Sequence, residues 1–391
     1  MSELLLFVGI AVAIFVGYNI GGATTGVSFG PAVGANVLTM LGAAVLMSIF
    51  FFIGGWIIGP EVVSTLGDDL VPREYLTLEA GIGILFFIGL ALFVGNSFGV
   101  PASTSMTAVG AIAGLGMATG SLDWATMGEI VSWWIVAPIV AFWVSGVIGR
   151  YFYPRINAWV AISRRNTQLW RVDRSGTVPR IRAAEGTGRR EVTGSLIVVA
   201  IGCYMAFSSG ASNVANAVAP LVGSGDLSMS AGVAIAGLAV TIGAFTIARK
   251  TLATMGNDIT NLPLTAAVVV MTVSATIVTL LSAIGIPVQL VVVSTMSIIG
   301  LGWGRATRTT TVSDVVRGRE ETTVSVGALT AEEEGEVAPP IGEEAPADIP
   351  KASDLFDPST TARVIVIQNF VPLVATIGAF LTFRFVPIFG F

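Results

Sequence analysis

Residues 21–34 read GGATTGVSFGPAVG, and residues 210–223 read GASNVANAVAPLVG. Set 189 positions apart, Gly21 falls on Gly210, Pro31 on Pro220, Val33 on Val222 and Gly34 on Gly223. Both copies are rich in small and uncharged polar residues, and both follow an apolar run. Such segments are expected to break the helices that carry them. In a bilayer, a pair of broken helices points to a binding site near the midplane rather than to a simple anchor.

The rest of the chain calls for a bilayer. Its 391 residues are 53% hydrophobic and 12% charged, with a mean hydropathy of +0.83, whereas soluble domains carry about 25% charge. The windows 3–18, 36–58, 79–98, 102–120, 131–149, 193–208, 229–247, 262–284, 286–302 and 362–390 are mostly apolar. Each approaches the roughly 20 residues that a spanning helix needs. Lipid offers no partner to an open sheet edge, and the runs do not alternate as barrel strands do. The expected fold is an all-α integral membrane protein with about 10–12 membrane segments. The start, MSELLLFVGI, has no basic region or cleavage site and reads as a retained first helix. A lone Cys203 excludes a disulfide framework. With no histidine in the chain, the usual imidazole ligands, proton relays and catalytic bases are absent.

Charge orients the segments. Of 20 Lys and Arg residues, ten are arginines between Arg150 and Arg190, and six more are Arg249, Lys250, Arg305, Arg308, Arg317 and Arg319. The positive-inside rule places these stretches in the cytoplasm. Segment 60–79 holds Glu61, Asp68, Asp69, Glu74 and Glu79 against Arg73 alone, and segment 121–129 holds only Asp123 and Glu129, so both are expected outside. Segment 320–358 is too polar to build a core and reads as a disordered cytoplasmic insertion.

The duplication extends well past the opening pair. TLGDDL at 65–70 answers TMGNDI at 254–259, PASTSMTAVGAIAGLG from Pro101 answers PVQLVVVSTMSIIGLG from Pro287, and VAPIVA around Pro138 answers FVPLVA around Pro372. The halves therefore span about 1–150 and 192–390. TLGDD lies in an acidic stretch, while TMGND follows Arg249 and Lys250, so the halves are expected to face opposite ways as inverted-topology repeats. Neither Lys nor Arg occurs between Glu74 and Gly149. The uncharged turn GVPASTS is accordingly expected at the tip of a re-entrant hairpin, because two full crossings would leave it on the basic side.

An oxyanion entering a bilayer must exchange its water for other donors, and hydroxyls, amides and free N–H groups at helix starts can supply them. Ser103, Thr104 and Ser105 just after Pro101 form such a start, with a plain helix cap as the alternative. Gly21, Gly22, Thr24, Thr25 and Gly26, with Ser208, Ser209, Gly210, Ser212, Asn213 and Asn216, offer more donors, with small-residue packing as the alternative. Asp68, Asp69, Asn257 and Asp258 can serve a coupling cation or stand as solvated loop groups. Asp226, the lone acid from Thr193 to Ala248, is read either as a functional intramembrane group or as an interfacial one.

These residues resemble the inorganic phosphate transporter (PiT) family, whose halves each carry a GANDVAN-type signature and a hairpin beginning with PSTT or a close variant. GASNVANAVAPL from Gly210, SFGPAVG from Ser28, PASTSMTAVGAIAG from Pro101 and RKTLATMGNDIT from Arg249 carry the likeness. It covers the chain except for 151–191 and 306–361. The resemblance implies a symporter moving phosphate or a related oxyanion with Na+ or H+. Two departures stand out. The family's signature Asp aligns with Thr24 and Asn213, its first Asn with Ala23 and Ser212, and its second Asn survives only as Asn216. In the second hairpin the hydroxyl positions align with Gln289, Leu290 and Val291. NIGGATTGVSFGPAVG from Asn19 is similar to the sulfate permease branch, which also lacks the Asp.

The expected organisation is a first transmembrane repeat (1–150), an Arg-rich cytoplasmic loop (151–191), a second repeat (192–305), an acidic insertion (306–361) and a last helix (362–391). The expected substrate site is Ser103, Thr104, Ser105, Thr24, Thr25, Ser212, Asn213 and Asn216. Asn19, Thr24, Asn213 and Asp226 are the expected groups for the coupling ion. Phosphate is the first cargo, sulfate the alternative, and an uncoupled anion channel the rival from another class. A membrane enzyme lacks a convincing base here. No cofactor, resident metal or nucleic acid is implied; the plasma membrane is the expected location, and a homodimer is among the assemblies allowed.

Overall fold

Each of the ten apolar windows forms a helix. The computed structural model describes residues 2–97, 103–160, 170–173, 180–183, 188–248, 252, 264–306 and 358–386. The turn at Pro101, the second landmark pair at Asn257 and Asp258, and most of the acidic insertion lie outside the described residues. Helices α1 (Ser2–Gly34), α2 (Met40–Ile57), α3 (Gly59–Ser64), α4 (Leu78–Ser97), α5 (Thr104–Thr119), α6 (Trp124–Val147) and α7 (Tyr153–Val160) build the first half. Helices α8 (Arg189–Gly223), α9 (Met229–Thr246), α10 (Leu264–Ser282), α11 (Leu290–Ala306) and α12 (Pro358–Phe385) build the second. Seven helices among the described residues are long and apolar enough to span a bilayer, and three shorter apolar helices accompany them. A π-helical turn at Ile148–Phe152 carries α6 into α7. The Arg-rich loop departs from the all-α expectation: Trp170–Asp173 and Arg180–Ala183 pair as a short antiparallel hairpin.

The two glycine-rich segments do not interrupt their helices, contrary to the expectation of broken helices there. Helix α1 runs through Gly21–Gly26 to Gly34, and α8 runs through Gly210 to Gly223. Two causes are visible. Four of the polar side chains bond back to carbonyls of their own helix: Asn19 to Phe15 at 2.8 Å, Thr24 to Ile20 at 2.8 Å, Thr25 to Gly21 at 2.6 Å and Asn213 to Ser209 at 2.9 Å. Polarity is thus satisfied without unwinding. The glycines serve close crossings instead: a Cβ on Gly21 would run into the carbonyl oxygen of Val240, and one on Gly210 into that of Phe51. Small residues allow such approach where no water is squeezed out to drive association.

The crossings come in reciprocal pairs. Helix α1 packs on α9 and α8 on α2; α5 packs on α12 and α11 on α6; α1 packs on α4 and α8 on α10. Glycines line each inter-half contact: Gly243 against Tyr18 in the first, Gly54 against Phe207 in the second, Gly114 against Thr376 in the third, and Gly300 and Gly304 against Phe142 and Gly146 in the fourth. Large apolar side chains such as Phe7, Ile57, Phe86, Ile135, Leu238 and Phe370 are exposed, as a lipid-facing surface requires, and the small and polar residues lie inside.

Short caps fix where helices begin. Asp123 accepts from the N–H groups of Ala125 and Thr126, both at 2.8 Å, and starts α6. Gly120, at φ 73°, ends α5 just before it in a left-handed turn that favours glycine. Asp123→Ala is expected to destabilise the fold by about 1 kcal/mol, read as a lower melting temperature in detergent with transport kinetics unchanged.

Candidate functional site

The uncharged polar residues converge on one small cavity between the halves. Ala23, Thr24 and Val27 of α1 line it, with Asn213 of α8, Ser103, Thr104 and Ser105 at the start of α5, and Gln289, Leu290 and Val291 at the start of α11. Two helix N-termini therefore meet there. The first N–H groups of α5 and α11 have no acceptor within their own helices, and each end carries partial positive charge. Among the described residues, no Asp, Glu, Lys or Arg side chain is fully buried and none lines the cavity.

Hydrogen bonds tie the lining together. Ser103 caps α5 by accepting from the Met106 N–H at 3.2 Å. Thr104 donates to Asn213 Oδ1, which also accepts from Asn216 Nδ2 at 3.0 Å. Asn216 Nδ2 reaches Ser105 Oγ at 3.4 Å, and Ser105 donates to the Val288 carbonyl at 3.1 Å. Ser212 holds the same residue from the other side, donating to its carbonyl at 3.1 Å and accepting from its N–H at 3.3 Å. Trp134 of α6 donates to the neighbouring Pro287 carbonyl at 2.8 Å. The starts of α5 and α11 are thus clamped to α8 and to each other. The cavity measures about 20 Å³, on the scale of one water, so in this conformation its donors close upon one another.

The structure brings Ser103, Thr104, Ser105, Thr24 and Asn213 to the cavity wall, with Asn216 and Ser212 directly behind it. Thr25 is buried and bonded within α1, away from the wall. Asn19 lies about a turn below Thr24; Asn96 donates to its carbonyl at 2.9 Å and to its Oδ1 at 3.1 Å. The Oδ1 of Asn96 is itself buried with no donor. Asp226 is not brought to the site. It sits exposed in the turn between α8 and α9, beside Gly225 at φ 81°. Asp68 is also accounted for elsewhere: Arg73 forks onto it with two 2.6 Å contacts, which hold the guanidinium above its usual pKa, and Asp69 is exposed. Among the described residues, no three acidic or cysteine side chains stand together as a metal cluster.

Gln289 is the lining residue that the reading of donor-rich motifs left out of the site. Its alignment with Ser103 in the duplicated hairpin was a usable signal, obscured because the next two residues, Leu290 and Val291, are apolar.

A profile of the phosphate transporter family matches residues 20–330. The chain belongs to the phosphate transporter family. It is similar to the sulfate permease CysP of Bacillus subtilis, at 31% identity over 75% of this chain and 76% of the relative. It also resembles a putative phosphate permease of Haemophilus influenzae, at 25% identity over 77% of this chain and 88% of the relative. A solved structure described as the sodium-dependent phosphate transporter shares the fold across 98% of this chain and 100% of its own length, with a TM-score of 0.63 and 18% identity. Members of this family are transporters, and the multi-pass helical body agrees with that class.

Proposed function

We propose that the chain is a secondary active transporter that moves an inorganic tetrahedral oxyanion, phosphate or sulfate, across the cell membrane together with Na+ or H+. The observation that carries this reading is the meeting of two helix N-termini and a ring of hydroxyls and amides in an uncharged, buried cavity. Oxygen-bearing anions suit N–H and O–H donors with the positive ends of helix dipoles behind them. The reciprocal packing of α1 on α9 with α8 on α2, and of α5 on α12 with α11 on α6, supports an inverted pair of repeats, with the α4–α5 and α10–α11 units as re-entrant hairpins. The Arg-rich loop and the acidic insertion would then be cytoplasmic.

Phosphate is favoured by the family as a whole. Sulfate is favoured by the 31% identity to a sulfate permease and by the cavity wall, which has no carboxylate to accept a phosphate proton. A coupling cation would be held near Asn19 and Asn96, where the unpartnered Oδ1 of Asn96 adds an oxygen of the hard type such ions prefer.

Uptake of labelled phosphate and labelled sulfate into proteoliposomes, with sodium and proton gradients imposed separately, tests cargo and coupling together. Flux that ignores both gradients and fails to saturate would indicate a channel instead. The double variant Ser103→Ala, Thr104→Ala is expected to raise the KM of the transported anion roughly 10- to 100-fold, the worth of one or two hydrogen bonds to a charged group. An unaltered KM would remove the start of α5 from the site.

A further inference from the structure

Gln289 occupies a place in the fold that its chemistry does not suit unless something else binds there. It is 6% exposed, stands immediately before the first residue of the 17-residue helix α11, and lines the cavity. Its Nε2 is buried and has no hydrogen-bond partner. A buried amide donor left unpaired is costly, and most are paired in folded proteins. The neighbouring donors in the wall are engaged: Thr104 with Asn213, Asn213 Nδ2 with Ser209, Ser105 and Ser212 with Val288. The unpaired group thus sits at the one helix start in the cavity that has no hydroxyls, in a wall shared with Ser103, Thr104 and Ser105.

We propose that Gln289 is a substrate-binding residue whose Nε2 donates to the oxyanion from the second half, alongside the three hydroxyls of the first. The inference rests on the transporter reading above. The anion is then gripped unevenly, by three hydroxyl side chains and the α5 N-terminus from the first half, and by a single side-chain amide and the α11 N-terminus from the second. Leu290 and Val291 contribute apolar wall and backbone N–H groups only. The empty protein bears the unpaired donor, and anion binding satisfies it.

This arrangement predicts a signature that a purely structural glutamine would not give. In Gln289→Leu, of similar size, the unpaired donor is gone, so the ligand-free protein in detergent is expected to melt at the same temperature as the unmodified protein or higher. The KM for labelled sulfate or phosphate uptake is expected to rise roughly 10- to 100-fold in the same variant. Gln289→Glu is expected to lose more affinity at neutral pH, where the carboxylate repels the anion, and to recover part of it at acidic pH, where the protonated carboxyl donates again. A lower melting temperature with an unchanged KM in Gln289→Leu would overturn the proposal, as would a pH-independent KM in Gln289→Glu. If the unmodified protein takes up neither anion, the transporter reading fails, and the binding role falls with it.

Discussion

Asn213→Asp is expected to raise the KM for oxyanion uptake in sodium-free proteoliposomes by roughly a thousandfold. The side chain lies in the cavity wall, and its Oδ1 accepts from Thr104 and Asn216. A carboxylate there keeps both acceptor roles but turns the Nδ2 that serves Ser209 into an oxygen. It also places a full negative charge beside an anion. Two like charges at about 4 Å, with an effective dielectric constant of about 20, repel by about 4 kcal/mol, which corresponds to about three decades in affinity. A bound cation would offset much of this, so the loss is expected to shrink when sodium is added. Concentration dependence measured with and without sodium checks both statements. An unchanged KM without sodium would mean that the anion does not pass Asn213.

The largest effect on stability is expected where α2 crosses α8. A Cβ on Gly54 would strike the Phe207 carbonyl, and one on Gly210 would strike the Phe51 carbonyl, so both faces of this crossing are backbone. Backbone cannot swing aside as a side chain can. Gly54→Ala and Gly210→Ala are each expected to destabilise by roughly 1–3 kcal/mol, and Gly210→Val to leave little folded protein in the membrane. Gly128→Ala supplies the control, since a Cβ at that α6 position meets nothing within 4 Å. Its effect is expected to be small and, by helix propensity, favourable. Thermal unfolding of detergent-solubilised variants reads the difference; equal melting temperatures for Gly210→Ala and Gly128→Ala would refute the close crossing.

Much of the helix layout was legible in the sequence because a bilayer enforces it. Apolar runs of sufficient length have few alternatives in lipid, and each window forms a helix. The ends were harder. Windows 3–18 and 193–208 stopped where Ser, Thr and Asn began, because polarity was read as interruption. In the structure Thr24, Thr25 and Asn213 return hydrogen bonds to the preceding turn, Ser208 and Ser212 bond to neighbouring segments, and α1 and α8 run on to Gly34 and Gly223. The glycines, expected to break the helices, are contact points. Their purpose depends on Val240, Phe51, Phe207 and Tyr18, which stand on other helices and leave no mark in the local pattern.

The cavity wall was partly legible for a similar reason. Ser103, Thr104, Ser105, Thr24 and Asn213 announce themselves as donors, and the duplication pairs Thr24 with Asn213 across 189 residues. Asp226 drew attention as a lone acid in an apolar stretch, but its place depends on where α8 ends, and the turn at Gly225 carries it out to the surface. Gln289 has the opposite history. Its alignment with Ser103 hints at a role, but the burial of its amide without a partner is what separates it from an ordinary polar residue near a helix start.

The absence of fully buried ionised side chains among the described residues bears on how the proposed transporter would respond to voltage. Moving one elementary charge through 100 mV costs or releases about 2.3 kcal/mol. An empty carrier whose moving parts bear no ionised group would move almost no charge as it reorients, and its return stroke would be insensitive to the membrane potential. The loaded stroke carries only the sum of the anion and its cations. A divalent oxyanion with two monovalent cations then moves silently, whereas a third cation makes uptake electrogenic, and the sign of the transport current tells whether fewer or more than two cations accompany the anion.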